Sequence, residues 1–346
     1  MNHEVGVFRR YGRCDRNGMR TAPETSEKPE ARRPLIVCGM HRSGTSLLAS
    51  LLAAAGLRLG DELLEASAGN PRGHFEDLGI LEFHRTVLVA NGIVSEGYTT
   101  QPVISVPEAM QREAEALVAT RQSGGGSWGW KEPRTTLFLD FWSGLLPDAR
   151  YLLVFRRPWE VVDSLFRRNE TTFRHNPAFA IDVWTHYNRA LLDFARRHPE
   201  STLVCEATQV ITDTERLFDA LAAKFGLSLG KPAAHYDETL FHEDLSPSLP
   251  VLLEAACPAS YDLYLELREL AGSTSPLPDG RAAGRGPLDL RGHVFNEWGR
   301  ATQHMLRCHE AERRTAALDE RLMKIEATSG ERWLRLLRRM RPRGAA

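Results

Sequence analysis

Apolar positions begin abruptly along this chain. Residues 1–32 are polar, rich in Arg, Glu and Pro, and without hydrophobic period, which reads as a disordered tail. Order starts at Pro34-Leu35-Ile36-Val37-Cys38-Gly39, a β-rich apolar run of the kind expected for a strand buried on both faces. The segment His41-Arg42-Ser43-Gly44-Thr45-Ser46 follows. Next comes a Leu/Ala-rich stretch that predicts a helix closed by Gly56. Three further strands are expected over 127–131, 151–155 and 202–205. Helices are expected around 107–121, 158–168, 177–197 and 212–226, the last opening on a capping-box-like Thr212-Asp213-Thr214-Glu215. Strands alternating with helices predict an α/β fold with a parallel sheet flanked by helices. After about residue 230 the pattern decays. Residues 271–294 read as a linker. A long polar helix is expected over 295–327, and a short basic amphipathic helix from Trp333 to Met340. The expected organisation is a tail (1–32), an α/β domain (33–270), a linker (271–294) and a helical extension (295–346).

With 346 residues, 42% of them hydrophobic, the chain can bury a sizeable core. Its net charge of −1 argues against a whole-molecule nucleic-acid binder, so no nucleic acid is expected as a partner. The basic residues are lopsided: Lys28, Lys131, Lys224, Lys231 and Lys324 are the only lysines among 44. That skew reads mainly as coding bias, yet it draws notice to Lys131, which falls at an expected strand end. Five cysteines without a CxxC pair give no zinc site and no disulfide framework. The longest apolar stretch, Leu47 to Leu57, is too short to span a bilayer, and the N-terminus lacks a secretory signal. A soluble cytoplasmic protein is the expectation. The basic C-terminal helix offers peripheral membrane contact, although a solvated terminal helix is the simpler reading.

The chemistry concentrates at two strand ends. Gly39 to Ser46 lies between a strand and a helix, where backbone N–H groups and the helix start favour an anion. Gly39, Gly44 and Ser46 match GxxxxGK[ST], but Thr45 stands where nucleotide kinases carry lysine, and the cation is earlier, at Arg42. The strand over 151–155 ends in Arg156, not an acid, and only Glu206 offers a weak Mg²⁺ candidate. The run Arg156-Arg157-Pro158 opens the next helix and forms a second anion element. Two separate anion elements at two strand ends fit a ligand with two separated phosphates. The cluster His235, Tyr236, Asp237, His242, Glu243 and Asp244 lacks metal-ligand spacing, so no metal is expected.

These motifs together resemble the sulfotransferases that use 3′-phosphoadenosine-5′-phosphosulfate (PAPS), whose P-loop-like architecture the fold is then expected to share. Arg42-Ser43-Gly44-Thr45-Ser46 resembles that family's 5′-phosphosulfate loop. Arg156, Pro158 and Ser164 resemble its 3′-phosphate element. Over about residues 34–230, the resemblance implies PAPS as donor, held by Arg42, Ser43, Gly44, Thr45, Ser46, Arg156 and Ser164. Lys131-Glu132-Pro133 resembles a segment with a catalytic lysine, which implies Lys131, together with Arg42, as cations on the leaving group. Asn70-Pro71-Arg72-Gly73-His74-Phe75-Glu76-Asp77 resembles a bacterial-type stretch and implies Glu76 as base, with His74 and Asp77 as alternates. The implied acceptor is a hydroxyl, with carbohydrate or glycolipid as the expected class. A metal-dependent P-loop kinase and a non-catalytic nucleotide-binding protein are the alternative readings. Trp128, Trp130 and Trp159 read as core rather than as adenine-stacking residues, and Arg281 to Gly286 as linker.

Overall fold

The computed structural model describes residues 33–65, 73–168, 170–230, 249–274 and 290–339. The tail 1–32, the His235–Asp244 cluster and Arg281–Gly286 lie outside the described residues. The chain falls into two units, Met1–Asp244 with Ala259–Pro276, and Leu245–Pro258 with Leu277–Ala346.

The first unit is built on four parallel strands: β1 (Leu35–Cys38), β2 (Gly129–Lys131), β3 (Arg150–Phe155) and β4 (Thr202–Glu206), in the order β2-β1-β3-β4. In register, Val37 faces Lys131 on one side and Leu152 on the other, and Phe155 faces Glu206. Continuous apolar runs form these strands because both faces are covered. Period-2 alternation then splits each strand between two cores. Ile36, Cys38, Tyr151 and Leu153 pack on one face, with α2 (Leu78–Ala90), α3 (Glu108–Ser123), α4 (Leu139–Leu145) and α7 (Phe179–Arg197). Leu35, Val37, Leu152 and Val154 pack on the other, with α1 (Thr45–Ala54), α8 (Ala207–Thr212) and α9 (Thr214–Phe225). The remaining elements are a 3-10 helix (Pro133–Phe138), α5 (Pro158–Arg167), α6 (Thr171–His175) and most of α11 (Pro258–Leu270).

The helix expected over 212–226 is α9, which starts two residues later, after the separate short helix α8 has ended at Thr212. Asp213, with φ −146° and ψ 68°, breaks the run, and its carboxylate accepts from Arg216 N at 3.0 Å. The N-cap is therefore Asp213, not Thr212: the short side chain competes with the backbone for its hydrogen bonds and stops α8. Helix α11 falls where the sequence pattern appeared to decay. Its buried face, Tyr261, Leu263, Tyr264 and Leu267, is interleaved with Asp, Glu and Arg, which mask the period.

The second unit contains α10 (Leu249–Ala256) and α12 (Leu290–Arg339). The latter is one continuous helix rather than the two expected. Gly330 is the weak point between them, but one glycine costs only about 1 kcal/mol against alanine and does not stop a helix flanked by strong formers. Leu318, Leu322, Met323, Ile325 and Trp333 are exposed on α12. No described helix is long and apolar enough to cross a membrane.

Candidate active site

Because all four strands are parallel, their carboxyl ends share one edge of the sheet, where α/β folds bind ligands. Gly39 leaves β1 along β3. A Cβ there would lie 2.4 Å from Val154 O and 2.8 Å from Val154 Cγ1, so only glycine lets the loop pass. Its N–H donates to Thr136 Oγ1 at 3.1 Å. Gly44, at φ 87°, precedes α1, and no side chain caps that helix. Its first-turn amides are therefore available to an anion. Ser43 Oγ is buried and has no hydrogen-bond partner among the described residues, which suits an anionic oxygen.

The two anion elements meet directly. Arg42 Nε donates to Ser164 Oγ at 2.8 Å, and Arg156 Nη1 donates to Arg42 O at 3.4 Å. Glu160 orients Arg156 by accepting from its Nε at 2.7 Å. Burial lowers the Arg42 pKa, and the like charges of Arg168 and Arg156 lower it further. Like charges held this close are relieved by a bound anion.

Glu76 and Lys131 form the second feature. The chain at Glu76 makes an isolated parallel bridge with Lys131, so the two side chains emerge side by side. Lys131 Nζ donates to Glu76 Oε1 at 2.8 Å, and both residues are buried. Burial pulls the Lys131 pKa below the ordinary lysine value, and Glu76 restores part of the loss. Ser46 Oγ donates to His74 O at 3.4 Å, tying this segment to the phosphate loop. Among the described residues, the non-glycine residues at positive φ are Arg42 (67°) and Phe75 (55°). Both sit in this site, where strained backbone concentrates when function requires it.

Residues 34–229, more than half of the chain, match the sulfotransferase family. The chain belongs to that family. Among solved structures, the sulfotransferase domain of the Synechococcus PCC 7002 olefin synthase is similar at 21% identity, covering 72% of this chain and 98% of that one, with a TM-score of 0.40. A sulfotransferase from Alicyclobacillus acidocaldarius shares 14% identity over 70% of this chain and 96% of its own, with a TM-score of 0.42. One from Mycobacterium tuberculosis H37Rv shares 16% over 69% and 76%, with a TM-score of 0.37. These likenesses add nothing to the assignment, which rests on the family match. No curated protein matches the chain.

Within this sulfotransferase, Asp77 is engaged by Arg121 and by the start of α2. Its carboxylate accepts from Arg121 Nε at 2.9 Å and Nη2 at 2.7 Å, and caps α2 through Ile80 N at 3.1 Å. These three hydrogen bonds engage both carboxylate oxygens and fix the start of α2. Glu206 accepts from Tyr264 OH at 2.9 Å and pairs with Arg157 Nε at 3.8 Å, both at Oε1. No group of three or more His, Cys, Asp or Glu suited to a metal occurs among the described residues. Trp128 and Trp130 lie in the core, and Trp159 packs on Tyr261 and Tyr264. Thr45 is buried at the start of α1.

Several contributors carry no sequence signal. Arg168 reaches the site only because α5 ends there. Glu132 is fully buried and accepts from Arg134 Nη1 at 2.5 Å and from His84 Nδ1 at 2.6 Å. Trp142 Nε1 donates to His84 Nε2 at 2.9 Å, so the His84 proton resides on Nδ1. Burial depresses the His84 pKa and keeps the ring neutral. Burial alone would raise the Glu132 pKa, but Arg134 and His84 outweigh it and hold the carboxyl well below its usual range. This network braces the backbone immediately after Lys131.

Proposed function

We propose that this sulfotransferase moves the sulfuryl group of PAPS to an acceptor hydroxyl by in-line displacement, with carbohydrate and glycolipid hydroxyls the first class to test. The observation that supports the reading is the Arg42–Ser164 hydrogen bond of 2.8 Å, which brings the two anion elements into contact. The orphaned Ser43 hydroxyl, the uncapped start of α1 and the convergence of Arg42, Arg156 and Arg168 all suit a doubly anionic nucleotide. The bound donor supplies an activated sulfuryl group. Ser43, Gly44, Thr45 and Ser46 hold its 5′ end, and Arg156 with Ser164 its 3′-phosphate.

Glu76 is the proposed base. Its Oε1 is engaged by Lys131, while Oε2 has no hydrogen bond among the described residues and is the atom that takes the hydroxyl proton. Lys131 steadies charge on the departing oxygen, and Arg42, aimed toward Ser164, neutralises the bisphosphate. His74 is the alternate base; its pKa is lowered chiefly by burial. With cations rather than a metal clamp around the anion, adenosine 3′,5′-bisphosphate is expected to bind without Mg²⁺. Calorimetry tests this: binding of ADP or ATP that requires Mg²⁺, with no binding of the bisphosphate, would favour a kinase and end the proposal.

A further inference from the structure

Three large apolar side chains of α12 lie close together in solvent. Leu318, Leu322 and Ile325 are 62%, 55% and 62% exposed. Their spacing, four positions and then three, is the seam of a heptad repeat. Written abcdefg with Leu322 at a, the frame runs back through Leu318 at d, Thr315 at a, Ala311 at d and Cys308 at a. His304 at d and Ser329 at a bound it, so the seam is apolar at its centre and polar at both ends. Most helices owe their stability to the packing of one apolar stripe, and α12 runs for 50 residues with this stripe in water.

The flanking positions say what the stripe meets. Position g holds Arg307, Arg314 and Arg321, and position e holds Glu312, Asp319 and Glu326. All six are exposed. In a parallel pair of helices, each g residue faces the e residue of the following heptad on the other strand. Two copies of α12 in register would set Arg307 against Glu312, Arg314 against Asp319 and Arg321 against Glu326, each pair twice by symmetry. Turned antiparallel, the same helices would bring arginine against arginine and acid against acid. Within its own helix Arg314 pairs with Glu310 at 2.5 Å, and a guanidinium with five donors can serve both carboxylates. Leu322 at a with Ile325 at d leans toward larger assemblies, but charge on both flanks keeps the apolar seam narrow, which suits two strands.

We propose that α12 is a dimerisation helix that pairs, parallel and in register, with α12 of a second copy of this chain. Sedimentation of the full chain under reducing conditions is expected to give twice the 38.8 kDa chain mass. Leu318→Glu with Leu322→Glu puts charge into the seam and should return the monomer mass. Arg314→Glu with Arg321→Glu leaves the seam intact but turns attractive pairs into repulsive ones. It should raise the dimer dissociation constant by about tenfold or more, and it carries the test if the first variant does not fold. Cys308 reports orientation. It is exposed, with Sγ 3.4 Å from His304 Nδ1 of its own helix, and position a meets its own copy only in a parallel, in-register pair. Mild oxidation with diamide should therefore link two chains through a disulfide that Cys308→Ser abolishes. A parent that is monomeric or larger than a dimer overturns the proposal. So does a dimer that either folded variant leaves unchanged, or one that forms no Cys308 cross-link.

Discussion

Replacing Lys131 by methionine keeps the length and apolar volume of the side chain and removes its charge. The partner, Glu76, then stays where it is with no countercharge 2.8 Å away. Its side chain is only 8% exposed and that of Lys131 1%, so water does little to compensate. Removing one member of a buried ion pair costs about 3–5 kcal/mol, and the small exposed edge of Glu76 favours the lower end. At roughly 2–4 °C per kcal/mol for a domain of this size, Lys131→Met should lower Tm by about 6–12 °C. Replacing both partners, Glu76→Gln with Lys131→Met, leaves no unpaired charge and should recover most of that loss. Thermal melts of the four proteins form the cycle. If the double variant loses the sum of the two single losses, the two groups do not interact, and the pairing that places Lys131 beside the base is wrong.

Arg156→Ala should weaken adenosine 3′,5′-bisphosphate by about 10- to 100-fold, the range for one charge-assisted hydrogen bond, as read by calorimetry; unchanged affinity removes Arg156 from the site. The Lys131 pKa is lowered by burial, so turnover should fall on the alkaline side at a pH below the ordinary lysine value of 10.5, as Lys131 loses its proton. In Lys131→Arg, whose cation persists, residual turnover should lose that limb. Asp77→Ala uncaps α2 and leaves Arg121 with only its longer pairing to Asp61 at 3.7 Å, at a cost of about 3 kcal/mol, while the folded protein keeps its bisphosphate affinity.

Much of the fold was legible because its strands are short apolar runs buried on both faces, and their ends carry glycine or arginine at spacings that chemistry restricts. The loop at Gly39–Ser46 and the turn at Arg156 are such cases. The Asp77–Arg121 pairing was not legible because adjacency to Glu76 says nothing about which carboxylate a distant residue will claim, and Arg121 lies 44 positions away. The Glu132–His84–Trp142 chain was invisible for the same reason: its members converge only after α2 and α4 pack on the sheet. Helix α11 was lost because its apolar face is half tyrosine and its gaps are charged. The strain at Arg42 and Phe75 has no sequence signature at all, since both are side chains that normally avoid positive φ.

A single ligand is expected to occupy both anion elements at once. Calorimetry of adenosine 3′,5′-bisphosphate beside adenosine 5′-monophosphate and adenosine 3′-monophosphate, without Mg²⁺, decides this. The bisphosphate should bind at least tenfold more tightly than either monophosphate, because each lacks the phosphate that one arginine element serves. A 5′-monophosphate that binds as tightly as the bisphosphate would contradict a 3′-phosphate site at Arg156 and Ser164, and with it the two-element donor site on which the proposed sulfuryl transfer depends.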